Sequence, residues 1–179
     1  MGHLTWNRAG FAAACAYVGL AIFAHHTAFA RIRALAKMEN IEAQSIGALP
    51  LPPSIWRWDG LILTKRGVYE MRMDLGERAA LSDSANAGST AAPAIHYHFY
   101  PSAPDNAYIE AARGLPEVRD VLWFDRFPVT RFYRDGEVAV VEILDLRFPQ
   151  IRRDRPASFT YRVRFDAQGK LLSQGWVRR

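Results

Sequence analysis

Cysteine is all but missing from this sequence. Cys15 is the single one among 179 residues, which excludes an intrachain disulfide and any multi-cysteine metal site. It reads as a small apolar filler inside a hydrophobic segment. A chain without disulfides suits the cytoplasm and is also compatible with a bacterial periplasm. Acidic residues are missing from one region: residues 1–37 hold Arg8, Arg31, Arg33 and Lys37 but no Asp or Glu. The other 142 residues carry 19 basic and 18 acidic side chains, so the net charge of +5 comes mainly from the flanks of that hydrophobic segment. What remains is close to neutral, which excludes the basic footprint of a nucleic-acid-binding surface. No internal repeat, P-loop, dinucleotide fingerprint, serine elbow or HExxH motif occurs. The residues by themselves therefore name no reaction.

Apolar residues make up half of the chain and aromatics 12%, enough to fill the core of one domain that carries an appendage. The appendage is N-terminal. Residues 1–8 form a short tail, and the 22 residues from Ala9 to Ala30 carry no formal charge. As a helix they extend roughly 33 Å, close to the hydrocarbon thickness of a bilayer. Trp6 and Arg8 on one side, with Arg31, Arg33 and Lys37 on the other, suit the two interfaces. A cleavable export signal is the rival reading, because Ala28-Phe29-Ala30 has the small-x-small pattern of a cleavage site. Against it, Ile32, Leu35, Ala36, Met38 and Ile41 continue the helical spacing past Arg31. The expectation is a transmembrane helix running on as a juxtamembrane helix over 9–46. The basic excess after it favours a cytoplasmic domain. His25 and His26 point about 100° apart on that helix and make a poor chelating pair, better read as interfacial polar residues.

A proline-rich connector is expected over 47–54, followed by an α+β domain over 55–179. Ile55–Thr64 and Gly67–Leu75 read as a hairpin, with Tyr69, Met71, Met73 and Leu75 on one face. Glu77–Ala94 reads as a mobile surface excursion, and Ile95–Tyr100 as a strand. Asn106–Arg113 and Glu117–Val121 read as short helices. Phe127–Tyr133 and Glu137–Phe148 form a second hairpin about Arg134-Asp135-Gly136. Ser158–Asp166 alternates with Phe159, Tyr161, Val163 and Phe165 inward, and Lys170–Val177 is the last strand. The sum is one meandering, mainly antiparallel sheet behind an N-terminal transmembrane helix, with one or two short helices covering a face.

Four groupings are candidates for chemistry. His96 and His98 share a strand face at a chelating spacing, but a zinc site would need Asp59, Asp125 or Asp145 to complete it, and an exposed polar face is the simpler account. Asp145 and Arg147 also share a face, as a structural ion pair or a substrate contact, with Glu142 on the opposite face. Trp56, Trp58, Trp123, Phe124, Phe127 and Phe132 supply either an aromatic core or an acyl-binding groove near the membrane. Arg152-Arg153-Asp154-Arg155 is a loop run able to meet anionic headgroups.

In order along the chain stand Tyr17 in an apolar helix, Ala30-Arg31-Ile32-Arg33-Ala34, Pro50-Leu51-Pro52-Pro53-Ser54-Ile55-Trp56-Arg57 and Gly67-Val68-Tyr69. Val121-Leu122-Trp123-Phe124, Val140 to Phe148 (with Asp145-Leu146-Arg147) and Phe159-Thr160-Tyr161-Arg162-Val163 follow. This series resembles the C-terminal half of the bacterial inner-membrane metal-dependent hydrolase family, LexA-regulated type. Trp56, Arg57, Trp123, Asp145 and Arg147 are the signature residues it picks out. The resemblance implies an inner-membrane setting and a divalent metal held by a multi-span region that has no counterpart here, so no catalytic residue carries over. The domain would then be accessory to such a membrane segment, with the lipid bilayer as its other partner and no nucleic acid. The alternative is a stand-alone, non-enzymatic domain, tethered or secreted, that binds a lipid or another apolar ligand.

Overall fold

The structure, a computed structural model, describes residues 2–76, 97–148 and 159–177. The Glu77–Ala94 excursion, His96 and the Arg152–Arg155 run lie outside the described residues.

Helix α1 spans Gly2–Met38, eight residues short of the expected end at 46. Asn40 explains where it stops. It sits in the left-handed region at φ 50°, its N–H donates to the Lys37 carbonyl, and the Ile41 N–H donates back to the Ala36 carbonyl at 2.8 Å. That reciprocal pair is a Schellman cap, sealed by Ile41 packing onto the same core as Ala36. Asparagine tolerates this conformation better than most residues. The chain then enters strand β1, Ser45–Pro50, so the first half of the expected 47–54 connector is a paired strand.

Strands β1, β2 (Arg57–Thr64), β3 (Gly67–Asp74) and β4 (Tyr97–Pro101) form one antiparallel sheet in sequence order. Two short helices follow, α2 (Ala107–Gly114) and α3 (Pro116–Phe124). Strands β5 (Pro128–Asp135), β6 (Val138–Asp145), β7 (Thr160–Phe165) and β8 (Leu171–Trp176) then form a second four-stranded antiparallel sheet. The class is α+β as expected, but the single meander is two sheets, parted where α2 and α3 interrupt the run of strands.

The layers stack as helix, sheet, sheet, helices. On the outer face of the first sheet, Trp58, Ile62 and Met71 pack against Ala24, Ala28, Ile32, Leu35 and Ala36 of α1. Leu61 and Val68, on its other face, meet Phe127, Val129, Leu144 and Leu146 of the second sheet. The far face of the second sheet, with Ala139, Val141, Ile143, Val163 and Phe165, is covered by Ile109 and Ala112 of α2 and Val118 and Val121 of α3. Each large aliphatic so buried contributes about 1.5–3 kcal/mol.

Two glycines set the layer spacing. A Cβ on Gly60 would stand 2.7 Å from Ile32 Cγ1, and one on Gly47 would stand 2.6 Å from the Phe127 ring. Any side chain there pushes α1 or the second sheet away. Local chemistry fixes the short helices. The Asn106 side chain accepts hydrogen bonds from the N–H groups of Tyr108 and Ile109, both at 3.0 Å, a cap contributing about 1 kcal/mol. Pro116 opens α3, where its missing N–H is no loss.

One expected orientation fails. Phe159, assigned inward by alternation, is 52% exposed. It lies just before β7 at φ +63°, a conformation uncommon for a bulky side chain, and that turn takes it out of the strand's alternation.

Candidate ligand cleft

Buried carboxylates are the first place to look for chemistry, and each described one has an arginine. Asp59 on β2 takes a hydrogen bond from Arg72 Nε at 3.1 Å. Burial raises its pKa, and the Arg72 hydrogen bond and charge only partly oppose that. Glu142 on β6 accepts from Arg162 Nε at 2.8 Å and from the Tyr133 hydroxyl at 3.2 Å. Asp145, at the end of β6, is fully buried. Its two oxygens take Arg147 Nε at 2.6 Å and the backbone N–H groups of Arg147 and Arg126 at 2.9 and 3.2 Å. Arg147 also donates to the Phe124 carbonyl at 2.8 Å. The sequence placed Asp145 and Arg147 together and Glu142 on the opposite face, and the structure does the same. With its lone pairs so engaged, Asp145 works as a strut between β6 and the end of α3.

Asp125, which caps α3, sits beside this strut. Burial, then the charge of Asp145, push its carboxyl up to about 7 against the pull of Arg147.

Next to Asp125 opens a cleft of about 870 Å³ between α3 and the β7–β8 pair, lined by Glu117, Asp120, Val121, Phe124, Phe159, Tyr161, Gly175, Trp176 and Val177. On α3, Glu117, Asp120, Val121 and Phe124 recur at intervals of three and four, one helix face. On the sheet, Tyr161 and Trp176 are cross-strand partners with ring centroids 5.2 Å apart and planes at 86°. Trp176 stands at 85° to Phe159 as well, and Phe159 leans on Phe148 with centroids 4.2 Å apart. Burial, then the charge of Glu117, raise the Tyr161 pKa, so its hydroxyl stays neutral. The size and aromatic lining suit a small organic ligand.

The other residues singled out from sequence scatter. Of the six aromatics, Trp58 lies under α1, Phe127 lies between the sheets, and Phe132 packs on the far core. Trp123 is 87% exposed, and only Phe124 reaches the cleft. Trp56 precedes β2 and is partly exposed. Arg57 opens β2 and is exposed. His98 is exposed on β4, edge-on to the Tyr100 ring at 4.4 Å. Among the described residues no three His, Cys, Asp or Glu side chains gather into a group able to hold a metal ion. His98, Asp59, Asp125 and Asp145 thus form no such set, and the described residues do not fit the divalent metal that the family resemblance implies. Sequence reading missed Tyr161 and Trp176 as cleft residues. The usable signal was that β7 and β8, joined by the Ala167-Gln168-Gly169 turn, put those two aromatics side by side.

Helix α1 over Trp6–Met38 is long and apolar enough to cross a membrane. From Trp6 to Phe23 it is almost wholly exposed, and from Ala24 onward it is bound into the domain. No protein-family model matches this chain, and neither a curated protein nor a solved structure is similar to it.

Proposed function

We propose that this chain is a membrane-anchored binding domain, held on a bilayer by α1 and taking an apolar ligand into the cleft between α3 and the β7–β8 pair. The carrying observation is the cleft itself, where Phe124, Phe159, Tyr161 and Trp176 turn ring surface toward one open space. Anchoring is supported by two facts about α1. Its 18 unburied residues, Trp6 to Phe23, extend about 27 Å, near the thickness of a hydrocarbon core. Its next residues, Ala24 and Ala28, are core residues of the domain, so cleavage after Ala30 would strip part of the cover from Trp58 and Met71. The basic excess at Arg31, Arg33 and Lys37 favours a cytoplasmic domain, and the family resemblance is what implies a bacterial inner membrane.

A second reading makes the domain accessory to a multi-span region like that of the metal-dependent hydrolases it resembles. Its support, besides motif order, is the position of the Pro50–Arg57 segment. His25 of α1 packs against Trp58 with ring centroids 5.5 Å apart, and Arg31 donates to the Asp74 carbonyl. The Trp56-Arg57 end of the first sheet therefore lies beside the point where α1 leaves the domain, within reach of a neighbouring membrane segment.

Full-length protein in nonionic maltoside micelles, titrated with a naphthalene fluorophore, tests the binding reading. Wild type should bind saturably at one site, and Trp176→Ala with Phe159→Ala should abolish the saturable part. Equal uptake by both proteins would sink it. Recovery of the uncleaved chain from the soluble fraction of lysed cells would sink the anchor.

A further inference from the structure

The cleft is charged on one side only. Glu117 and Asp120 stand one helical turn apart on the α3 wall, and no lysine or arginine is among the residues lining it. Neither carboxylate makes an ion pair among the described residues. The nearby cation, Arg147, is spoken for: it is bound to Asp145 and to the Phe124 carbonyl. Its guanidinium also lies 4.9 Å over the centroid of the Phe124 ring, so this wall already receives one cation on an aromatic face. Opposite, Trp176 stands nearly perpendicular to both Tyr161 and Phe159, and three rings so arranged make the corner of a box. Aromatic faces carry the negative part of the ring quadrupole. Rings on one wall and unpaired carboxylates on the other attract the same thing, a positive charge carried on a greasy group.

We propose that the ligand of this cleft is a quaternary or tertiary ammonium bearing an alkyl or aryl group, its apolar part against Val121, Phe124 and Val177 and its cationic head between Trp176, Tyr161, Glu117 and Asp120. This rests on the binding reading above and adds the charge of the ligand. A primary ammonium or a metal ion is disfavoured, because ring faces do not replace the hydrogen bonds those ions lose on leaving water. The ammonium group is found both on free small molecules and on choline-type lipid headgroups.

The test compares phenyltrimethylammonium with tert-butylbenzene, its neutral isostere, on the full chain in maltoside micelles, with protein-free micelles as the blank. The cation should bind about tenfold more tightly. The Glu117→Gln/Asp120→Asn double variant should bring the ratio of the two affinities to about one, with wild-type thermal stability as the folding control. Equal affinity for both probes, or a preference that survives in the double variant, overturns the charge assignment while the binding reading stands. If neither probe binds wild type, both fall. In a competition arm, displacement of phenyltrimethylammonium by a water-soluble short-chain phosphocholine assigns the lipid headgroup as the source, and no displacement assigns a free aryl- or alkylammonium.

Discussion

The two sheets of this protein have the same plan and different covers. Each is a four-stranded antiparallel meander with one face turned to the other sheet and one closed by helix. The first is closed by part of a 37-residue helix that is almost wholly exposed from Trp6 to Phe23. The second is closed by two helices of eight and nine residues, each with one buried face. Short amphipathic helices do one job, which is to shield a sheet from water. A long helix, apolar all round, does that job along part of its length and leaves its remainder unsuited to water. The contrast puts the exposed apolar helix in the first half of the molecule and the aromatic-lined cleft in the second.

The buried ion pairs sharpen the contrast, and the largest effect falls in the second half. Asp145→Ala should lower stability by about 3–5 kcal/mol, because it strands Arg147 and two backbone N–H groups. Chemical denaturation of the full chain in micelles measures this, and a loss below about 1 kcal/mol would show that the strut is ornamental. In the first half, Ile32→Ala should cost about 2–4 kcal/mol by opening a cavity between α1 and Gly60. Since Leu61 and Val68 share a core with Leu144, amide exchange should rise in both sheets together. A rise confined to β1–β4 would mean the halves unfold separately.

The third effect depends on pH. Asp125 holds its proton more tightly folded than unfolded, its pKa being about 7 rather than 3.8. Its contribution to stability is therefore complete below pH 3.8 and is lost as pH rises toward 7. Asp125→Asn, which never ionises, should match wild type in acid and exceed it above pH 7 by on the order of 1–2 kcal/mol, after allowance for solvent screening. Parallel stability curves from acid to alkali would refute the shifted carboxyl. The smallest change is expected at Asp59→Asn. The Arg72 side chain is 69% exposed and rehydrates freely, so thermal melting should register a loss of about 1 kcal/mol or less. A larger loss would make the two halves alike in their reliance on buried charge.

Strand periodicity and turn chemistry made most of the fold legible. The hairpin turning at Lys65-Arg66-Gly67 pairs in a register that puts Tyr69, Met71 and Met73 on the α1 face, as the alternation of that strand implies. Three things were hidden for physical reasons. The α1 terminus depends on Asn40 taking a left-handed conformation, which outweighs the apolar spacing that runs on to Ile41. Strand β1 ends in proline and contains Gly47, so it resembles a connector, yet as an edge strand it can spare the N–H that Pro50 lacks. The division into two sheets is set by which strands fail to pair across α2 and α3, and alternation carries no information about partners. At the site, Asp145 and Arg147 were legible because they lie two residues apart. The cleft was not, since its walls come from α3 and from β7–β8, more than 35 positions later, and only folding brings them face to face.

The grip of the first sheet on α1 has a mechanical corollary. Ala24, Ala28, Ile32 and Leu35 are wedged on strands β1 and β2 without an intervening hinge, so shaft and head turn as one piece. Rotating the shaft about its own axis by one residue's worth, about 100°, would swing the head's compass bearing by the same angle. Inserting a single alanine before Ala24 is thus a means of turning the head about the axis of the shaft while every strand keeps its neighbours.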